Sequence, residues 1–416
     1  MKNIYFILFV LLLNACMVSN TSLNDNNKAK NAKLVPSTKK VNLLRTKFLE
    51  NGNSFRIYGS FLSNDSLDTD TFLSKYTCNY AFVFDYTTKD KAELRNVAIN
   101  ESSIVTKGKL INFYFDVPKP KTELGQVVLK VELNDRANAV KMQNELNIRF
   151  NSLKTSDSFA VFEKKNNSIL LNNYIPYTDS IIIKSNDDTE RKITVVRYKH
   201  DFDAALSPLA VGQKPNPKPL YVDSLYEVNT NTPFVLGQQG LYYFIKDTTD
   251  RSGFSVLGVD DRFPRYTQPA QLTKPLVYMT TSNEYLNLNS TQDHKKALDQ
   301  FWLSLYNGNQ NQAKRSIKSI YKKVEDANSM FSNYKEGWKT DKGMVYIVMG
   351  TPDNIRYLKD KEVWVYTRNA KFSEINFTFT KRPNQFIEDH YELSRFSEFQ
   401  PIWFPAVESL RVGENL

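Results

Sequence analysis

The run EGWKTDKGMVYIVMGTPDNI, from Glu336 to Ile355, sets a hydroxyl beside a carboxylate at Thr340 and Asp341. Trp338 stands just upstream and a second acid, Asp353, just downstream. A carboxylate that can accept or deliver a proton, a hydroxyl and an indole face suit a sugar. The ring would stack on the tryptophan while the polar pair holds its hydroxyls. Trp364 and Trp403 would widen such a platform. The same letters also make turns, because Asp and Thr side chains bond nearby backbone and Gly and Pro set its dihedrals. Trp338, Thr340, Asp341 and Asp353 thus line a binding site or build a junction, and both readings stay open.

Other chemistry is sparse. His200, His294 and His390 lie far apart, so there is no HExxH-type zinc pair. YKHDFDAA brings His200, Asp201 and Asp203 together, but a metal there would need ligands from elsewhere, and an exposed polar loop is the simpler expectation. Glu388, Asp389 and His390 in FIEDHYEL read as a charged turn before a strand. There is no G-x-S-x-G elbow, Walker loop or G-x-G-x-x-G fingerprint, and GQQG at Gly237 to Gly240 reads as a hairpin turn. Cys78 alternates with Tyr80, Phe82 and Phe84, which makes it a buried strand residue without the electropositive setting of a reactive thiol. No catalytic residue, metal or cofactor is assigned.

The elements that would position these groups fall into three blocks. From 41 to 154, SFRIYGSF, YTCNYAFVF, KLINFYFDV, GQVVLKVEL and LNIRF alternate apolar and polar residues as strands do. In KLINFYFDV, Ile111, Phe113, Phe115 and Val117 share one face, and Pro118 and Pro120 end the strand. From 155 to 262, SFAVF, DSIIIKS, ITVVRY, GLYYFIKD and FSVLGV supply a second set, interrupted by the Pro-rich LSPLAVGQKPNPKPL. Gly125 and Gly240 each open a strand that closes on an acidic turn, a weak internal echo. Two tandem immunoglobulin-like β-sandwiches are the expectation. After the connector FPRYTQPAQLT the period changes, and 274–416 reads as one domain. Ser290 would cap a helix burying Leu298, Phe301, Trp302 and Leu305. A second helix, from Gln312 to Tyr334, carries the stripe Ile317, Ile320, Tyr321, Val324, Ala327 and Phe331. GMVYIVMG, EVWVYTR, INFTFTKR and HYELSRF follow as an antiparallel meander. The fold class is therefore β-rich and multidomain: two sandwiches, then an α+β domain of two helices and a four-stranded meander.

In this scheme Glu336–Ile355 leads from the second helix into the first strand. Gly337 suits a left-handed helix cap, and Trp338 the corner between helix and sheet. Asp341 would accept the N–H two residues on, and Gly343 would take a positive φ. Pro352 fits the second position of a type I turn, with Asp353 after it. The run Gly337-Trp338-Lys339-Thr340-Asp341 resembles the signature of the GWxTD-domain proteins, mostly envelope proteins of Bacteroidota. The resemblance runs from about Tyr278 to Arg411. It includes Phe301-Trp302, Gly350-Thr351-Pro352-Asp353 and Trp364-Val365-Tyr366. Members usually have arginine where this chain has Lys342, and often a second proline where it has Thr351. Lysine keeps the charge but lacks the planar fork of a bidentate contact. The resemblance implies a lipoprotein with a β-rich N-terminal region, and it brings no settled activity.

The beginning of the chain agrees with that implication. Residues 1–16, MKNIYFILFVLLLNAC, read as a secretory signal too short to span a bilayer permanently. Leu13-Asn14-Ala15-Cys16 resembles a bacterial lipobox, which makes Cys16 the lipidated residue. Its acyl chains would anchor firmly, at about 0.8 kcal/mol per buried methylene. Residues 17–40 are a polar tether. No acidic cluster follows Cys16, so the periplasmic face of the outer membrane is expected rather than the cell surface. The net charge of +10 is spread along the chain and favours an anionic envelope partner over nucleic acid. Asp-Ser and Asp-Thr pairs at Ser66, Ser180, Ser224 and Thr248 resemble a short O-glycosylation sequon, and are also ordinary turn chemistry. The expected function is a non-enzymatic structural or assembly factor with an envelope protein partner, for instance an outer-membrane assembly, secretion or gliding machine. The alternative is a protein that binds or cleaves envelope polysaccharide around Thr340 and Asp341.

Overall fold

The computed structural model describes residues 43–413, less 85–92, 138–140, 151–152, 186, 188, 200, 214–217 and 368–373. The signal segment, Cys16, the tether and His200 lie outside the described residues. Among the described residues no helix is long and apolar enough to cross a membrane. The chain is β-rich, with several sheets that are antiparallel but for one strand pair.

In the first block two four-stranded sheets share one core. One sheet orders Arg45–Asn51, Ser54–Leu62, Leu110–Pro118 and Ile104–Lys107; the other orders Arg95–Val97, Tyr76–Val83, Gln126–Asp135 and Lys141–Arg149. Alternation does the sorting: Ile111, Phe113, Phe115 and Val117 all enter the core, and the strand ends at Pro118. Cys78 is buried there, and burial pushes its thiol up to about 12, away from any reactive range.

The second block pairs a three-stranded sheet with a five-stranded one around Phe159, Ile181, Ile193, Tyr242 and Phe244. Within the larger sheet Tyr174–Pro176 runs parallel to Phe254–Val259. GQQG is not a hairpin turn, because the strands on either side of it, Phe234–Val235 and Gly240–Ile245, belong to different sheets. The outer face of the five-stranded sheet is covered too: Leu241, Tyr243 and Ile245 pack on Phe386 from the last block. The segment Thr155–Ser158 between the first two blocks is buried, with Thr155 at 1% exposure and Asp157 at 4%.

The last block departs from two helices and a meander. Its helices include Ser282–Asn289, His294–Leu305, Gln310–Phe331, Asp341–Met349 and Gln400–Val412. Ser290 is the C-cap of the first of these, and Asp293 caps the next by accepting from Lys296 N–H at 3.0 Å. GMVYIVMG is helical, not a strand. The four-stranded antiparallel meander is present, but its first strand is Asn354–Leu358, followed by Lys361–Tyr366, Ile375–Lys381 and Tyr391–Leu393. One meander face, with Trp364, Phe377 and Phe379, packs into the helical core.

Candidate functional site

The motif begins where the long helix Gln310–Phe331 ends. Ser332 Oγ donates to Asn328 O at 2.7 Å and accepts Gly337 N–H at 3.0 Å, while Asn328 Oδ1 accepts Trp338 N–H at 3.1 Å. The chain is thereby folded back onto the helix. Gly337 is not a left-handed cap. It starts a 3-10 turn, and a Cβ there would lie 2.0 Å from the Ala327 carbonyl oxygen, so glycine is required by close approach. Trp338, 2% exposed, fills the corner; its Nε1 donates to Tyr266 Oη at 2.8 Å and its carbonyl accepts from Tyr278 Oη at 2.9 Å.

Thr340 then starts a new helix. Its Oγ1 accepts Gly343 N–H at 3.0 Å, as an N-cap does, and donates to Gly337 O at 2.7 Å. Gly343 is helical rather than at positive φ, and a Cβ on it would sit 1.9 Å from Gly337 O. The two glycines thus face one another across the turn. Met344 to Val348 are all buried.

Asp341 makes no bond to its own turn. Its carboxylate accepts Leu393 N–H at 2.7 Å and the Arg395 guanidinium at 2.5 Å. Arg395 also donates to Leu206 O and Leu393 O, each at 3.1 Å. One carboxylate therefore clasps the helix Asp341–Met349, the last meander strand and the loop at 201–209. The same loop meets the motif again at Lys339. This ammonium is 3% exposed, yet bonded to Asp201 and, at 2.8 Å, to Glu336. Burial works to lower its pKa, but the two carboxylates outweigh burial and raise it. Burial would lift Asp201, but Lys339 and Lys274 hold it down to about 2. Lys335 donates to Asp203 O at 3.1 Å, and burial pulls its amine down to about 8. Asp201 and Asp203 are thus partners of the motif, and the loop that YKHDFDAA begins is a strap across it.

The other singled-out residues are accounted for in place. Trp364 and Trp403, like Trp302 and Trp338, are at most 4% exposed, so the chain's four tryptophans offer no stacking face to a sugar. Pro352 is buried, and Asp353 accepts Thr367 N–H at 2.8 Å and Thr367 Oγ1 at 3.0 Å. Lys342 meets Glu362 at 2.9 Å and lies 3.7 Å from the Tyr391 ring centroid, a point-charge contact that needs no planar fork. His294 Nδ1 lies 3.0 Å from Leu288 O, and His390 Nε2 is 3.3 Å from Glu392. No group of three or more His, Cys, Asp or Glu among the described residues is arranged to hold a metal ion. Ser66 and Thr248 are exposed, whereas Ser180 and Ser224 are half-buried in strands.

Chemically, the cluster holds a fold together. Thr340 and Asp341 are buried with their polar atoms committed to internal bonds, which leaves neither a free nucleophile nor a free base. Sequence reasoning missed Arg395, Asn328, Tyr266 and Tyr278. Only Arg395 carried a signal, as a lone cation closing the strand pattern HYELSRF.

No curated protein and no solved structure matches the chain. A family model described as the GWxTD domain matches residues 240–412. The match begins at the strand Gly240–Ile245, upstream of the helical region at 274, and that strand packs on Phe386 deep in the last block. The turn, cap and clasp from Gly337 to Asp341 lie well inside the matched span, and the chain therefore carries a GWxTD domain.

Proposed function

We propose that the chain is a lipid-anchored protein of the cell envelope whose GWxTD domain acts as a non-enzymatic interaction module. The observation that carries this reading is the use of the motif: the polar groups of Thr340 and Asp341 serve internal bonds, and the tryptophans are buried. A motif spent on folding leaves function to surfaces and partners. The anchor is Cys16 and the tether 17–40, placing the body on the periplasmic face of the outer membrane. The body is two immunoglobulin-like sandwiches, 41–154 and 155–262, carrying an α+β domain at 274–416. The paired sheets of each β block support that division. Its partner is an envelope protein, consistent with a basic chain that bears no nucleic-acid motif. A polysaccharide site at Thr340 and Asp341 has less support, since a sugar would have to displace the Arg395 and Leu393 contacts.

The test is co-purification of the full-length native protein from gently solubilised membranes. A stoichiometric envelope protein that stays bound to wild type is the expected result. Recovery of the lipoprotein alone, or a Cys16→Ser variant that stays on the membrane as wild type does, overturns the reading.

A further inference from the structure

Where the three blocks meet, beside the motif residues Thr340 and Lys342, the described residues line a half-open cavity of about 250 Å³. Strand Arg45–Asn51 turns Arg45 and Lys47 towards it, opposite the sandwich core that takes Leu44 and Phe48. Thr155–Ser158 contributes Ser156, and Val161, Leu170 and Phe254 add apolar wall. Among the described residues the ion pairs around it leave three cations over: Arg45, Lys47 and the exposed Arg251. Arg149 pairs with Asp157 and Glu388, each at 3.0 Å, and Lys154 with Glu388 at 2.6 Å. Lys342 pairs with Glu362 at 2.9 Å and Lys381 with Asp389 at 2.8 Å. Arg45 and Lys47 are held only by main-chain carbonyls: Arg45 by Ser329 and Met330, Lys47 by Ser156. Ser156 is 8% exposed, and its hydroxyl is buried without a partner.

We propose that this cavity binds a small organic anion, its carboxylate or phosphate held by Arg45, Lys47 and the Ser156 hydroxyl and its apolar body lying against Phe254 and Leu170. Two partly buried cations with no carboxylate bonded to them carry a desolvation cost that an entering anion offsets. The Lys47 ammonium already lies 5.8 Å from the Phe254 ring centroid, so charge and apolar surface are side by side. The cavity lies just below the usual volume of ligand sites, which fits one acidic group on one ring.

A pH dependence follows. Burial pulls Lys47 down to about 8 against the upward pull of Asp157 and Glu388. Arg45, Arg149, Lys154, Arg251, Lys342 and Lys381 are the other cations lining the cavity, and Glu145, Glu362 and Asp389 the other acids. A bound anion restores the ammonium, so binding takes up a proton above about pH 8 and affinity falls as pH rises.

The experiment titrates phenyl phosphate and benzoate into the intact chain by calorimetry, with phenol as neutral control. Saturable binding of an anion is expected, about tenfold or more tighter than phenol, and weakened about tenfold by Lys47→Gln. Loss of affinity between about pH 8 and 9.5 is the second expected result. The proposal is overturned if neither anion binds below about 10 mM, if phenol binds equally well, or if a folded Lys47→Gln binds as wild type does. Should Lys47→Gln fail to fold, the wild-type pH series decides, and a flat affinity across that range overturns the proposal.

Discussion

At Asp341 one carboxylate satisfies a main-chain N–H and a guanidinium that also reaches two carbonyls. Asp341→Asn keeps the shape and can still accept Leu393 N–H, but it strips Arg395 of its countercharge. Breaking one side of such a buried pair costs about 3 kcal/mol. A lower urea midpoint with unchanged m-value is the expected outcome, and the Asp341→Asn/Arg395→Gln double variant should lose less than the sum of the singles. Wild-type stability of Asp341→Asn would mean that the clasp is idle. The importance of Thr340 and Asp341 was legible because both types are rare in apolar surroundings unless bonded. Their partners were not, since Arg395 lies 54 residues away and nothing in a single sequence ties the two. Gly337 was singled out for the wrong reason: its backbone is ordinary, and a neighbouring carbonyl needs the space.

The error over GMVYIVMG belongs to the scale of elements. Every residue from Gly343 to Val348 is buried, so no polar face reveals the period, and β-branched residues tilt the reading to strand. The start signal was present, though, as a threonine N-cap followed by an acid in the first turn. The C-terminal helix Gln400–Val412 was hidden by Pro401 and Pro405, yet Pro401 sits in the first turn, where its missing N–H costs nothing. Arg411 near its end pairs with Glu284, whose carboxylate lies 2.9 Å from each of two guanidinium nitrogens. That pair makes an acid prediction. The Arg411 hydrogen bond, against some burial and with help from the Thr281 capping box, lowers Glu284 from 4.5 to about 2. A depressed carboxylate contributes stability that is complete above its unfolded value and lost as pH falls through its folded one. Thermal melts should therefore show Glu284→Gln less stable than wild type at neutral pH, the gap closing between about pH 5 and 2. A gap that persists at the acid end would contradict this.

For the whole molecule, the β-rich character with helices towards the C-terminus was legible from the change of period, while the interlocking of sheets and helices was not. Glu388 joins Arg149 and Lys154, Ser255 Oγ donates to Phe386 O at 2.9 Å, and Arg45 donates to the end of the long helix. Patterns along a sequence report which face of an element is apolar and are silent on which distant loop covers it. Glu388 is 39% exposed, so Glu388→Gln should cost only about 1 kcal/mol. Amide exchange should nevertheless quicken at Thr155–Ser158 and around Phe386, read by mass spectrometry; unchanged protection at both would show that the junction holds without the charge. The bond from Arg45 to Met330 spans 285 residues. A chain that emerges amino end first therefore makes its earliest strand long before the helix that finishes that strand's outer face exists. Local pairing gives such a chain little head start, and its last contacts are its most distant ones, a topology that folds slowly and late. For the exported lipoprotein proposed above, such a delay would keep the chain unfolded until it has crossed the membrane.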